Sequence, residues 1–322
     1  MLEDRFGRRF RYLRLSITEV CNFRCSYCLP DGYQGNAKQT FLSPQEITTL
    51  AGAFAGLGTS KIRITGGEPS LRKDLPQIIQ RCAQTPGIQK VALTTNGFKL
   101  PKMVDQWVSA GLNALNVSID SLDPRQFYAI TGHDKLHTVL AGLDRALALN
   151  LPVKVNAVLL KPYSQSLLQT ALTWLKSMPV TLRLIELMQT GDNQAFFSQH
   201  HLSGQGIKRA LLEQGWTRIT ADKAAGPAQE FSHPDYQGRI GLIMPYDKDF
   251  CASCNRLRVA ANGDLHLCLF AEQGLSLRPW LQTGDIAAVQ QRLSELIGLK
   301  DASHWLHQGH SGATRQLAML GG

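Results

Sequence analysis

The chain has 322 residues, enough for one large domain or two smaller ones, and its 43% hydrophobic and 18% charged content excludes a disordered or fibrous chain. Its 34 basic and 25 acidic residues leave a formal charge of +9, which suits a nucleic acid or a small polyanion such as a nucleoside triphosphate; no dense Lys/Arg block or aromatic–basic signature favours the nucleic acid. No run of about 18 apolar residues predicts a membrane span, Met1–Phe6 lacks the apolar centre of a signal peptide, and in the cytosol expected on those grounds the seven cysteines read as metal ligands or free thiols.

Apolar strands alternate with amphipathic helices from about residue 10 to residue 187. The expected strands are Tyr12–Ile17, Lys61–Thr65, Lys90–Thr94, Asn113–Ile119, Val153–Leu159 and Val180–Leu187. Leu42-Ser43-Pro44-Gln45-Glu46 starts a helix, with a Ser N-cap, Pro in the first turn and an acidic residue after it. Further helices are expected over Leu75–Cys82, Lys102–Ala110, Leu136–Asn150 and Gln165–Lys176. This alternation predicts a parallel α/β sheet, with six units where a closed barrel has eight. After Met188 it stops: Gly191–Ser203 reads as a loop, Gly204–Gly215 as a short helix and Gly226–Gly238 as a Gly-, Pro- and polar-rich stretch. Helices return near Ser276–Leu281 and Asp285–Leu299, and a boundary is expected near residue 190.

Chemistry-bearing residues fall at the carboxyl ends of the expected strands, where parallel-sheet enzymes place their sites. Cys21, Cys25 and Cys28, spaced C-x₃-C-x₂-C, follow the first strand. They supply three ligands, whereas a structural zinc site closes with four; three thiolates on a cubane iron–sulfur cluster leave one iron open. Buried thiols or a disulfide are the alternative. Thr65-Gly66-Gly67-Glu68-Pro69 follows the second strand; its glycines allow a close backbone approach, and Glu68 would accept hydrogen bonds from a cationic amine. Thr94–Gly97 and Ser118–Asp120 end the third and fourth strands, as site residues or as turn chemistry. Lys154 and Glu186–Met188 lie on the fifth and sixth. Arg14 and Arg63 lie within strands, where a buried charge needs a partner; a triphosphate or a salt bridge would serve. A second group, Cys251, Cys254 and Cys268, is spaced C-x₂-C-x₁₃-C. It reads as a zinc ribbon short of a ligand, with His266 as the candidate fourth, or as a second iron–sulfur site. Arg256 and Arg258 stand beside it. Cys82 reads as a buried small hydrophobe. No Gly-x-x-x-x-Gly-Lys-Ser/Thr phosphate loop and no Cys–His or Ser–His–Asp constellation is present in the sequence.

The run Leu13–Pro30, LRLSITEVCNFRCSYCLP, is similar to the radical S-adenosylmethionine (SAM) superfamily, and nearly the whole chain resembles the GTP 3′,8-cyclase family of molybdenum cofactor biosynthesis. The resemblance implies an open, incomplete TIM-like barrel of six βα units over residues 1–190. Residues 191–322 would form a C-terminal extension with a second iron–sulfur site. It implies one [4Fe-4S] cluster on Cys21, Cys25 and Cys28, whose open iron chelates SAM, and another on Cys251, Cys254 and Cys268, facing the purine. Tyr27, Gly67, Ser118 and Met188 would contact SAM. Arg14, Arg63, Thr94, Lys154, Arg256, Leu257 and Arg258 would contact GTP. The terminal Gly321 and Gly322 match a double-glycine tail that reaches into the active site, although the preceding Arg315–Leu320 departs somewhat from the usual form.

The implied reaction is reductive cleavage of SAM, removal of the C3′ hydrogen of GTP by the 5′-deoxyadenosyl radical and closure onto C8, giving 3′,8-cyclo-7,8-dihydro-GTP. An electron donor and a downstream cyclic pyranopterin monophosphate synthase follow as partners, and a homodimer is left open. Two other readings compete. A radical SAM peptide-modifying enzyme usually carries more auxiliary cysteines than three. A zinc or iron–sulfur nucleic-acid-binding regulator would explain charge and cysteines but not polar residues at successive strand ends.

Overall fold

The structure, a computed structural model, describes residues 1–35, 40–220, 226–248, 250–312 and 314–321. Six strands, β1 (Tyr12–Ser16), β2 (Lys61–Thr65), β3 (Lys90–Thr95), β4 (Ala114–Ser118), β5 (Val153–Leu159) and β6 (Thr181–Glu186), pair in parallel in chain order. Helices α1 (Pro44–Gly56), α2 (Leu75–Ala83), α3 (Leu100–Ser109), α4 (Pro124–Thr131), α5 (Leu136–Ala148) and α6 (Ser164–Leu175) connect them. Each crossover returns the chain to the same end of the sheet, as parallel pairing requires.

Period-two alternation sorts the strand residues. Leu13, Leu15, Ile62, Ile64, Leu115, Val117, Val155, Leu182 and Leu184 belong to the buried apolar core shared with the helices. The alternate positions, among them Tyr12, Arg14, Arg63, Asn116, Asn156 and Arg183, line cavities inside the barrel. The local start of α1 follows the expected chemistry. Ser43 Oγ accepts from the Glu46 amide at 3.2 Å while the Glu46 carboxylate accepts from the Ser43 amide at 2.8 Å, a reciprocal cap that satisfies two orphan donors.

Three features differ from the expectation. The stretch read as a loop, Gly191–Ser203, carries helix α7 (Gln194–His200); Phe196 stacks on His200 one turn along the same helix, centroids 4.0 Å apart, in a helix too short for periodicity to reveal. Helix α4 was not expected; Asp123 caps it by accepting from the Arg125 and Gln126 amides, and Gly132 ends it with φ +72°. Above all, the C-terminal strands extend both edges of the same sheet. After α8 (Gln205–Glu213) come β7 (Thr217–Arg218), β8 (Gln229–Ser232), β9 (Arg239–Ile243), β10 (Arg256–Val259), β11 (Asp264–His266) and β12 (Leu275–Ser276), then α9 (Arg278–Thr283) and α10 (Ile286–Ile297). Strand β9 pairs in parallel with β6, and β10 pairs in parallel with β1. The order β12-β11-β10-β1-β2-β3-β4-β5-β6-β9-β8-β7 has two free ends, so the barrel stays open. Among the described residues no helix is long and apolar enough to cross a membrane.

Candidate active site

Two adjoining chambers fill the barrel. The first lies at the carboxyl ends of the strands. Cys21, Cys25 and Cys28 line it, with Tyr27, Gly67, Thr94, Ser118 and Met188. Burial pushes Cys21 up to about 11, Cys28 up to about 12 and Cys25 well above the usual thiol range, with the Asp120 carboxylate and then the neighbouring cysteines adding to the effect on Cys25. The cysteines are therefore thiols until a metal displaces their protons. All seven cysteines are free.

Among the described residues, no three His, Cys, Asp or Glu side chains close round a single ion. Four thiolates on one zinc stand about 3.8 Å apart, given a Zn–S length of about 2.3 Å. Three thiols line this chamber, the number that holds a cubane cluster with one iron left open. The amide of Phe23 donates to Cys21 Sγ at 3.5 Å, the kind of N–H···S contact that stabilises a ligating sulfur.

The loops around the cysteines are locked by polar contacts. Tyr27 Oη donates to Asp120 Oδ2 at 2.9 Å, and the Val158 amide donates to Asp120 Oδ1 at 2.9 Å. Burial still raises Asp120 to about 6. Glu68 does not do what the sequence suggested. It is fully buried, accepts from the Ser70 amide, the Thr95 hydroxyl at 2.7 Å and the Asn96 amide at 2.6 Å, and does not line the chamber. Its carboxylate is consumed in tying the β2 and β3 loops together. The two glycines before it are needed for a close approach, but to the protein: a Cβ on Gly67 would meet the Glu19 and Val20 carbonyl oxygens at 2.5 Å. The Gly-Gly turn thus holds the backbone that leads into Cys21.

The second chamber is crowded with cations. Arg14 stands in register with Arg63 on β2 and Arg258 on β10, and Tyr12, Lys61, Arg183 and Arg256 join them. Burial lowers Arg14 to about 9 and Arg258 to about 10, with neighbouring guanidinium groups pushing the same way. Burial would raise Tyr12, but Arg63, Arg14 and Lys61 outweigh it and bring the phenol to about 6. The Nε atoms of Arg183, Arg256 and Arg258 are buried without a hydrogen-bond partner among the described residues. Orphaned buried donors carrying like charge are costly, and a polyanion with several oxygens would relieve both faults. Cys251, Cys254 and Cys268 line the same chamber. Burial would raise Cys254, but Arg256 and Lys300 outweigh it and lower the thiol to about 7. The amide of His304 lies 3.4 Å from Cys251 Sγ. Three thiols around one chamber, with an N–H donor and a cationic wall, fit a second cluster. His266 is a β11 residue that does not line this chamber.

Not every expected residue meets there. Leu257 points into the apolar core, 1% exposed, because strand alternation sends it opposite to Arg256 and Arg258. Lys154 lies at the floor of the barrel, in ion-pair contact with Glu230, and lines a third cavity instead. Thr94 lines the first chamber, with its hydroxyl accepting from Arg63 Nη1 at 3.2 Å. At the C-terminus, Leu317, Ala318 and Gly321 line the first chamber, and the Gly321 carbonyl accepts from Arg14 and from Thr65 Oγ1; Gly322 lies outside the described residues. The sequence reading missed Tyr12, Lys61, Asn116, Asn156 and Arg183. The first four sit two positions from residues it named, on the same strand face, so alternation alone points to them.

Two family models match the chain: "Radical SAM superfamily" over residues 15–175 and "Molybdenum Cofactor Synthesis C" over residues 180–306. Among curated relatives, a GTP 3′,8-cyclase of Shewanella denitrificans is 55% identical over 323 residues, covering 100% of this chain and 96% of the relative. One of Yersinia pestis is 54% identical over 327 residues, covering 100% and 99%. The chain belongs to the GTP 3′,8-cyclase family. Solved structures agree on the fold: Streptococcus suis SuiB bound to S-adenosylmethionine aligns with a TM-score of 0.63 at 12% identity, covering 93% of this chain and 68% of that one. The GTP 3′,8-cyclase family uses SAM and two [4Fe-4S] clusters.

Proposed function

We propose that this chain binds GTP in the cation-rich chamber and SAM in the cysteine-lined one, and closes GTP between C3′ and C8 to 3′,8-cyclo-7,8-dihydro-GTP for molybdenum cofactor biosynthesis. The observation that carries this reading is the contact between the chambers, which share Asn156, Ile185 and Met188 as walls. A reagent formed in one can reach a nucleotide held in the other without crossing solvent.

Cys21, Cys25 and Cys28 would hold one cluster, and Cys251, Cys254 and Cys268 the other. When bound, the first cluster and SAM supply a 5′-deoxyadenosyl radical, the reagent that takes hydrogen from C3′. The chain's own residues bind and orient. Tyr27, Gly67, Ser118 and Met188 hold SAM. Arg14, Arg63, Arg256 and Arg258 fix the triphosphate through charge-assisted hydrogen bonds, and Lys154 adds charge from the floor. Thr94 steadies Arg63. The tail through Gly321 covers the first chamber and keeps water from it, and holding C3′ near its partner contributes the effective concentration the step requires.

The reading entails an electron donor, a synthase that takes the cyclised nucleotide onward and a cytoplasmic setting; a homodimer is compatible with it. The test is anaerobic. Protein reconstituted with iron and sulfide is given SAM and a strong reductant, and 5′-deoxyadenosine is measured with and without GTP. Strong stimulation by GTP and a cyclised nucleotide are expected; SAM cleavage indifferent to GTP would overturn the substrate.

A further inference from the structure

The third cavity opens at the opposite end of the barrel from the cysteine loop. It is lined by residues at the amino ends of the strands: Ser60 and Lys61 before and on β2, Gln89 and Lys90 at β3, Pro152 and Lys154 at β5, Arg239 at β9. At about 540 Å³ it is the largest of the three. It shares Lys61, Arg63, Asn116, Arg183 and Gly226 with the cation-rich chamber and so adjoins it directly. Its outer rim includes Gln89, Lys90 and Arg239, all exposed.

Its charge is one-sided among the described residues. Lys61, Arg63, Lys90, Lys154, Arg183 and Arg239 line it, against Glu230 as the only acid among its described lining residues. Glu230 engages Lys154 and, at 3.5 Å, Arg183. The described cations therefore run from the exposed rim inward; burial lowers Lys61 to about 8, with Arg63, Lys90 and Arg183 pushing the same way. The other end of the barrel is different. There the cysteine loop and the tail residues Leu317, Ala318 and Gly321 wall the first chamber, and the cations that would attract a polyanion lie beneath it.

We propose that the nucleotide enters and leaves through the floor of the barrel, base first, with its triphosphate drawn in by Lys90 and Arg239 at the rim and passed to the buried arginines. This rests on GTP being the substrate. Floor entry lets the triphosphate follow the base inward to the buried arginines and brings the ribose and base up toward the junction of the two chambers. It also lets substrate exchange while the tail stays docked above. A cleft lined by one sign of charge raises the encounter rate of an oppositely charged ligand, and salt screens that gain.

The experiment follows GTP association with the cluster-loaded enzyme by stopped flow, at low and high salt, for the parent, Lys90→Ala/Arg239→Ala and Lys90→Glu/Arg239→Glu. At about 20 mM salt, association should slow about tenfold in the alanine pair and further in the glutamate pair, and the difference should vanish near 0.5 M salt. Bound iron and SAM cleavage without GTP should match the parent, since both side chains sit outside the two cysteine-lined chambers. A purely structural role would not produce this salt dependence. If the parent binds GTP and both variants associate at the parent's rate at low salt, floor entry is wrong and the substrate stands. If the parent fails to bind GTP, the substrate reading falls and takes this inference with it.

Discussion

Replacing Gly321 by alanine should abolish cyclisation without unfolding the protein. Gly321 has φ +64°, a backbone region that costs an L-residue about 1–2 kcal/mol. An added Cβ would stand 2.3 Å from Thr65 Cγ2 and 2.4 Å from its Oγ1. Thr65 is 2% exposed on β2 and has nowhere to go, so the clash adds about 1–3 kcal/mol. Together these disfavour the docked tail by about 2–5 kcal/mol, or about 30-fold to more than a thousandfold in its docking equilibrium constant. The hydrogen bonds from Arg14 and Thr65 to the Gly321 carbonyl go with it. The assay is GTP-dependent formation of 5′-deoxyadenosine and cyclised nucleotide, with iron content and thermal melting as controls. Parent-level product from the variant would refute the reasoning, because it would mean that the tail's fit against Thr65 is irrelevant to the site.

Four further outcomes are expected. Cys25→Ser should stop SAM cleavage and reduce bound iron to that of the second cluster alone, read by iron analysis. Gly67→Ala should impair assembly of the first cluster, because its Cβ would strike the Glu19 and Val20 carbonyls just before Cys21; full iron loading would show that the loop can yield. Arg258→Ala should raise KM for GTP about ten- to a hundredfold, since a charge-assisted contact contributes about 1.5–3 kcal/mol, and an unchanged KM would remove Arg258 from the phosphate site. Asp120→Asn probes pH. The carboxyl of Asp120 is raised by burial from its ordinary 3.8 to about 6, so the folded state prefers it protonated; that stabilisation is complete below about 4 and lost as pH rises through about 6. The variant, neutral throughout, should gain on the parent in urea midpoint across that window, and a constant difference would contradict the assignment.

Much of the barrel is legible in the chain. Strands β1 to β6 appear within a residue or so of their apolar runs, because local periodicity sets which face is buried. Ser43, Pro44 and Glu46 mark the start of α1 because capping involves only neighbours. The cysteine triads are legible for the same reason: most of their ligands lie a few residues apart. The relation of Tyr12 to Arg14, or Lys61 to Arg63, follows from alternation alone.

Tertiary structure decided the rest. That β10 lies beside β1 and β9 beside β6 depends on pairing between segments distant in sequence, for which local pattern carries no register. This pairing places Arg256 and Arg258 next to Arg14 and turns separate strand cations into one chamber. Glu68 looked free to meet a ligand until the β3 loop claimed it, and Lys154 looked like a chamber residue until Glu230 held it at the floor. Sequence by itself determined which residues face inward and which chemistry they carry. Only the fold determined which of them meet, because a buried charge is satisfied by whatever the whole chain brings within hydrogen-bonding distance.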